Sequence, residues 1–221
     1  MFSKLKVVAV LLLVLHLLII NSAYAQDRVD DVAWLSQSIR FPFADKWRLD
    51  IRPIVRITDG ISRLNNVSFD YSLNYSLDKR INFIILSRTF FFPDRGPRRF
   101  IFLDAVHKFK KEEWRLTFTS LIRLHYAFDT NNTVDPDFIR FDQGVKYKLG
   151  NKFSSFVAVE AWMKLNDKFE IGQARYKLGG TYQIRKKSSL NLQYWRQQSY
   201  NAEFSRLDHM IVFTIIHILQ D

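Results

Sequence analysis

The chain has 221 residues, with 33 Lys and Arg against 22 Asp and Glu and a formal net charge of +11. It contains no cysteine, which excludes a disulfide scaffold, a thiolate zinc site and a cysteine nucleophile. Hydrophobic residues make up 48 %, which excludes disorder, and 20 Phe, 9 Tyr and 5 Trp stand beside 25 % charged residues, a mixture that a soluble domain rarely carries.

The first element is a targeting segment. Lys4 and Lys6 give a positive start, Val7 to Ile20 is apolar apart from His16, and Ala23-Tyr24-Ala25 supplies the small residues of a cleavage site. These are the three regions of a secretory signal peptide. The apolar run falls short of the roughly 20 residues that a spanning helix needs. Residues 1–25 are therefore expected to be removed, leaving a mature chain that starts at Gln26. No second long apolar run follows.

From Trp47 onward the chain alternates with period two. In Trp47–Ile57 one face carries Trp47, Leu49, Ile51, Pro53, Val55 and Ile57, and the other carries Arg48, Asp50, Arg52, Ile54 and Arg56. In Val67–Leu77 the apolar face is Val67, Phe69, Tyr71, Leu73, Tyr75 and Leu77, against Ser68, Asp70, Ser72, Asn74 and Ser76. In Trp114–Tyr126 the even positions are mostly apolar and the odd ones carry Arg115, Thr117, Thr119, Arg123 and His125. The pattern recurs in Ile139–Leu149, Phe153–Leu165, Ala174–Ile184 and Leu190–Gln197. It is weaker in Ile81–Phe91, Phe100–Phe109 and Leu207–Leu219, where both faces are partly apolar. Alternation of this kind identifies half-buried strands.

Short links at Asp78-Lys79, Lys110–Glu113, Gly150-Asn151 and Arg185–Ser188 alternate with longer ones at Thr58–Asn66, Pro93–Arg98, Asp129–Asp137 and Gln198–Arg206. Aromatic residues gather at strand ends. Trp47, Tyr75, Phe109, Trp114, Tyr147, Phe153 and Tyr182 lie near the short turns, and Phe91, Phe100, Tyr126, Phe128 and Phe138 near the long loops. Short turns, long loops and two aromatic girdles describe a transmembrane, antiparallel, up-and-down β-barrel of the Gram-negative outer membrane. Counting from Trp47 gives about ten strands, with twelve as the alternative. Residues 26–45 precede that barrel, which occupies 46–221, and form either an extra strand or a segment in the lumen or periplasm.

The order Trp34, Trp47-x-Leu49-x-x-Arg52, Glu160, Arg175-x-x-x-Gly179-x-x-Tyr182, Leu192-x-Tyr194-x-x-Gln197 and His209 resembles a family of small outer-membrane barrels known as domain of unknown function 2490. The resemblance runs over nearly the whole mature chain. It implies an outer-membrane barrel and carries no established activity, so no functional residue transfers with it.

The inward phase carries a charge network made of Arg48, Asp50, Arg52, Arg56, Asp70, Arg115, Arg123, Arg140, Asp142, Glu160 and Arg175. Arg88, Asp104, Lys108, Lys146, Lys148, Lys164 and Lys177 share that phase. Ten strands enclose little more than side chains can fill, so the expected lumen is packed with ion pairs, with the excess of cations at the two mouths. The expected role is structural or interaction-based. A narrow anion-favouring channel is the alternative, and a lipid-modifying enzyme the second. No catalytic spacing, cofactor motif or metal cluster is visible. His125 is the one histidine on the polar phase, and Asp129, Asp135 and Asp137 read as solvated loop acids rather than cation ligands. Export argues against nucleic acid; the expected partners are outer-membrane lipid and the barrel assembly machinery.

The alternation also predicts which residues tolerate charge. Replacing the lipid-facing Ile51 or Phe118 by Arg should cost about 2–4 kcal/mol near mid-bilayer, and the same change at the lumen-facing Thr117 far less. Unfolding of the three variants in lipid vesicles measures the difference; equal damage at Thr117 would reverse the facing.

Overall fold

The computed structural model describes residues 28–128, 134–165, 171–200 and 206–219. The expected signal peptide, residues 1–25, lies outside them, as do Asp129 and the side chains of Asp135 and Asp137.

Eleven strands close into one barrel. They are β1 (Arg28–Ala44), β2 (Trp47–Thr58), β3 (Arg63–Ser76), β4 (Ile81–Phe91), β5 (Arg98–Lys111), β6 (Leu116–Phe128), β7 (Val134–Lys148), β8 (Phe153–Lys164), β9 (Ile171–Arg185), β10 (Ser188–Ser199) and β11 (Arg206–Ile218), with a 3₁₀ turn at Glu112–Trp114 between β5 and β6. Strands of 11 to 17 residues exceed the roughly 9–11 that a tilted strand needs to cross a bilayer.

Consecutive strands pair antiparallel all the way round. The closing pair, β1 with β11, is parallel and aligned from Arg28 opposite Arg206 to Arg40 opposite Ile218. This seam explains the difference from a count of ten or twelve. Residues 28–44 form a wall strand, and an odd number of strands closes only if one pair runs in the same direction. β1 consequently begins at the long-loop rim, beside the start of β11. Val32, Met210 and Val212 are buried along the seam, and Trp34 meets Trp195 edge-on at 5.2 Å.

The burial pattern inverts that of a soluble protein. In β3 the buried side chains are Asn66, Ser68, Asp70, Ser72 and Asn74, whereas Tyr71 between them is 49 % exposed. Exposed apolar side chains continue around the outside with Ile85, Leu103, Ile122, Val159, Leu178, Leu192 and Ile211. An apolar exterior of this extent, on a wall whose inner phase is polar, is the surface that lipid solvates.

Aromatic rings reinforce the short-turn rim. Trp47 packs on Tyr75 at 4.7 Å, Phe109 on Phe118 at 6.2 Å, and the Lys111 ammonium sits 3.5 Å over Trp114. Phe153 and Tyr182 are exposed cross-strand neighbours. At the other rim Phe91 points outward, but Phe100 and Phe138 differ from the expected girdle. Both turn into the lumen, where Phe100 and Phe138 stack against His125. On β5 both phases are apolar near the long loop, so alternation alone does not choose a face. Register does: Phe100 and Phe102 share the phase of Asp104, which is buried opposite Arg123.

β6 also starts later than its sequence pattern. Trp114 belongs to the 3₁₀ turn, Arg115 adopts a left-handed backbone at φ 54°, and the strand begins at Leu116. Phe118 is therefore outward but near the short-turn rim. Ile122 is the outward residue at mid-strand, 45 % exposed, so the larger penalty for an introduced charge on β6 falls there.

Gly179 answers a steric demand inside the wall. Phe156 on β8 lies over it, and a Cβ there would come within 2.7 Å of both the Phe156 ring and the Leu192 carbonyl oxygen. Gly179→Val is expected to cost about 1–3 kcal/mol through overpacking. Gly150→Ala, in a turn with open space, should change little. The midpoint of heat-induced unfolding, read as loss of the compact band on a gel, distinguishes them.

Candidate functional site: the charged lumen

Register sets neighbouring inward residues side by side. Arg52, Asp70 and Arg88 stand opposite one another on β2, β3 and β4. Asp70, 2 % exposed, accepts from Arg52 Nη2 at 2.5 Å and Nε at 3.1 Å, and from Arg88 Nε at 2.5 Å and Nη2 at 2.7 Å. Each guanidinium presents two donors to the carboxylate, the arrangement that makes such pairs strong. Next around the wall, Arg123 grips Asp104 with Nε at 2.5 Å and Nη2 at 2.6 Å.

A longer row crosses β7, β8, β9, β10, β11 and β1 through Asp142, Glu160, Arg175, Gln197, Asp208 and Asp30. Glu160 is its centre and is 0 % exposed. Arg175 Nη1 donates to Glu160 at 3.0 Å, Arg140 Nη1 lies 3.6 Å away, and Lys177 Nζ and Trp162 Nε1 bond it directly. Lys177 also bonds Asp142 at 2.5 Å. Arg175 Nε donates to Gln197 Oε1 at 3.0 Å, and Gln197 Nε2 passes the row on to Asp208 at 3.0 Å. Arg206 ties the seam by bonding Asp208 at 2.7 Å and Asp30 at 3.0 Å. Arg175 also lies close enough to Arg88, on the far wall, for the two charges to interact.

Aromatic faces hold the guanidinium groups in place. Arg123 lies 4.7 Å from the Phe102 centroid, Arg175 4.7 Å from Trp195, and Arg140 5.4 Å from Trp162. Toward the long loops Phe100, Phe102, Phe138 and Trp162 surround His125. Both His125 ring nitrogens are buried without a hydrogen-bond partner, so no carboxylate orients this imidazole. Among the described residues no group of His, Asp and Glu is arranged to hold a metal ion.

The sequence-derived network falls into several places. Arg52 and Asp70 are joined, with Arg88 as third member. Arg140, Asp142, Glu160 and Arg175 form one cluster. Arg48 and Asp50 make a pair at 2.6 Å nearer the short turns. Arg123 takes Asp104 as its partner. Arg56 lies 5.5 Å over Trp34, with its Nε buried and unpartnered. Arg115 sits at the short-turn mouth, apart from the ion-pair clusters. Trp162, Gln197 and Asp208 complete the network: Gln197 stands in the sequence only as part of the resemblance, and Asp208 lies on a strand that is partly apolar on both phases.

Toward the short turns the lumen widens into a recess of about 830 Å³. Nine of the residues lining it are Lys or Arg, among them Arg40, Lys108, Lys146, Lys148, Lys152 and Lys186, and none is Asp or Glu.

A closed barrel that is apolar outside and ion-paired inside has the construction of a membrane-spanning β-barrel. The chain belongs to the family described as a protein of unknown function, DUF2490, which matches residues 32–208. Among solved structures it is similar to one described as the NanC porin in a rhombohedral crystal form, with 14 % identity and a TM-score of 0.48, covering 76 % of this chain and 86 % of that one. No curated protein sequence matches it.

Removing the centre of the network should be costly. Glu160→Ala leaves Arg140, Arg175 and Lys177 without their shared carboxylate, and a buried pair broken from one side costs about 3–5 kcal/mol. Asp50→Asn, beside the more exposed Arg48, should cost about 0–1 kcal/mol. Denaturant unfolding in vesicles is the measurement, with a clearly lower midpoint expected for the Glu160 variant alone.

Proposed function

We propose that this protein is an integral outer-membrane barrel, exported by residues 1–25, whose lumen is filled by ion pairs and whose role is structural or interaction-based rather than that of an open pore. The observation that carries this reading is the burial of Glu160 among three cations and an indole, with Asp70 and Asp104 buried in the same way on the facing wall. A carboxylate in a water-filled pore would be hydrated. These are shielded, each by cations on the strands beside its own.

The narrow anion-favouring channel is the second reading, favoured by the wide basic recess that leads up to the plug. Planar-bilayer recording separates the two. The wild-type barrel should show little steady conductance. Replacing Arg52 and Arg123 by Ala removes partners of Asp70 and Asp104 and should open or enlarge a conductance while lowering thermal stability. Large, stable, anion-selective currents from the wild type would overturn the filled-lumen reading.

A further inference from the structure

The two halves of the lumen treat charge differently. In the upper half every carboxylate discussed above sits against Arg, Lys or Gln at hydrogen-bond distance. In the recess below, nine cations line one cavity, and no Asp or Glu is among the residues lining it; Arg40 reaches out of it to Asp50 at 3.9 Å. They come from β1, β5 and β7 and from the turns that precede β6, β8 and β10, so no local pattern in one strand produces the collection. Arg40, Lys108 and Lys146, on three different strands, lie within electrostatic reach of one another across the opening. Like charges gathered in this way oppose folding, and low-dielectric walls concentrate their field. Solvation at a surface does not explain them either, because surface lysines need not converge on a cavity.

The cavity has the dimensions of a ligand site. Its volume falls within the roughly 300–1,000 Å³ typical of small-molecule pockets. Hydroxyls of Thr117, Thr119, Ser154 and Thr181 stand between the cations and add neutral donors. Its mouth opens among the short turns, with Gly150, Asn151, Lys152, Lys186 and Lys187 in the lining. A solute bearing one charge would engage one or two ammonium groups there. A solute bearing several would relieve repulsion all round the wall.

We propose that the recess is a binding site for a soluble polyanion, a molecule carrying two or more phosphate or carboxylate groups, that enters from the short-turn side. The proposal rests on the barrel reading above but not on closure of the lumen. Binding and conductance are read separately, so either can fail alone.

The test uses the purified full barrel and inorganic tripolyphosphate, followed by calorimetry at physiological ionic strength. One saturable site per barrel is expected, with orthophosphate binding much more weakly. Lys108→Gln with Lys146→Gln should weaken tripolyphosphate binding by at least about tenfold. Because this change removes like-charge repulsion, it should leave the unfolding midpoint unchanged or raised, which keeps the result interpretable. Arg95→Gln with Arg98→Gln, at the opposite rim, should bind as the wild type does. Nanodiscs distinguish a soluble ligand from a lipid headgroup: binding in phosphatidylcholine and in phosphatidylglycerol should agree. Absence of binding, equal loss in both double variants, many weak sites per barrel, or loss of binding only in phosphatidylglycerol would each overturn the proposal.

Discussion

The structure depends on one constraint: the wall spends its apolar side chains on the outside. A strand has two faces, and when one faces lipid the other must take the polar residues inward. The interior of this narrow barrel therefore carries charge, much of it buried at the wall: Asp70, Asp104 and Glu160 are 2 %, 5 % and 0 % exposed. An isolated charge there would be expensive, and pairing is the available remedy. Cross-strand register supplies it. Arg52, Asp70 and Arg88 pair because β2, β3 and β4 bring those positions level. Glu160 does the same for Arg175, while Arg140 and Lys177 reach it diagonally from neighbouring strands. The contacts that pair these charges thus also tie neighbouring strands to one another.

Along its axis the lumen passes through three environments. Near the long loops, aromatic rings surround His125. In the middle, carboxylates and guanidinium groups neutralise one another. At the short turns, cations face an open recess. The sequence contains 11 more basic than acidic residues, and nine cations gather in this one recess.

Much of this was legible in the residues. Period-two alternation shows plainly in β2 and β3, where the polar phase of Trp47–Ile57 and Val67–Leu77 names the inward residues one by one. The charged phase also marks Arg123, Arg140, Glu160 and Arg175 as inward. Partners were harder, since pairing depends on register, and register depends on turn geometry that sequence does not state. Asp104 is opposite Arg123 only because the turn after β5 takes up a 3₁₀ conformation with Arg115 left-handed. Phe100 and Phe138 were misplaced for a different reason: where both phases are aromatic, hydrophobicity no longer distinguishes lipid from lumen. Asp208 escaped notice because Leu207–Leu219 is apolar on both phases, and its burial follows from the seam. That seam is invisible locally, because parallel pairing between the first and last strands leaves no signature in either.

The parallel seam also bears on the order in which the barrel comes together. Ser36 and Thr214 are 178 positions apart in the chain, yet their hydroxyls meet at 2.8 Å. Every other strand pair joins neighbours in sequence, so closing β1 on β11 carries the largest loop-closure entropy and waits for all ten hairpin contacts to exist. Until then two complete edges stand open, and any strand of matching phase can capture them. The parallel direction adds a demand that a hairpin never makes. The leading end of β1 has to lie at the long-loop rim beside the start of β11, so the first and last strands must meet pointing the same way.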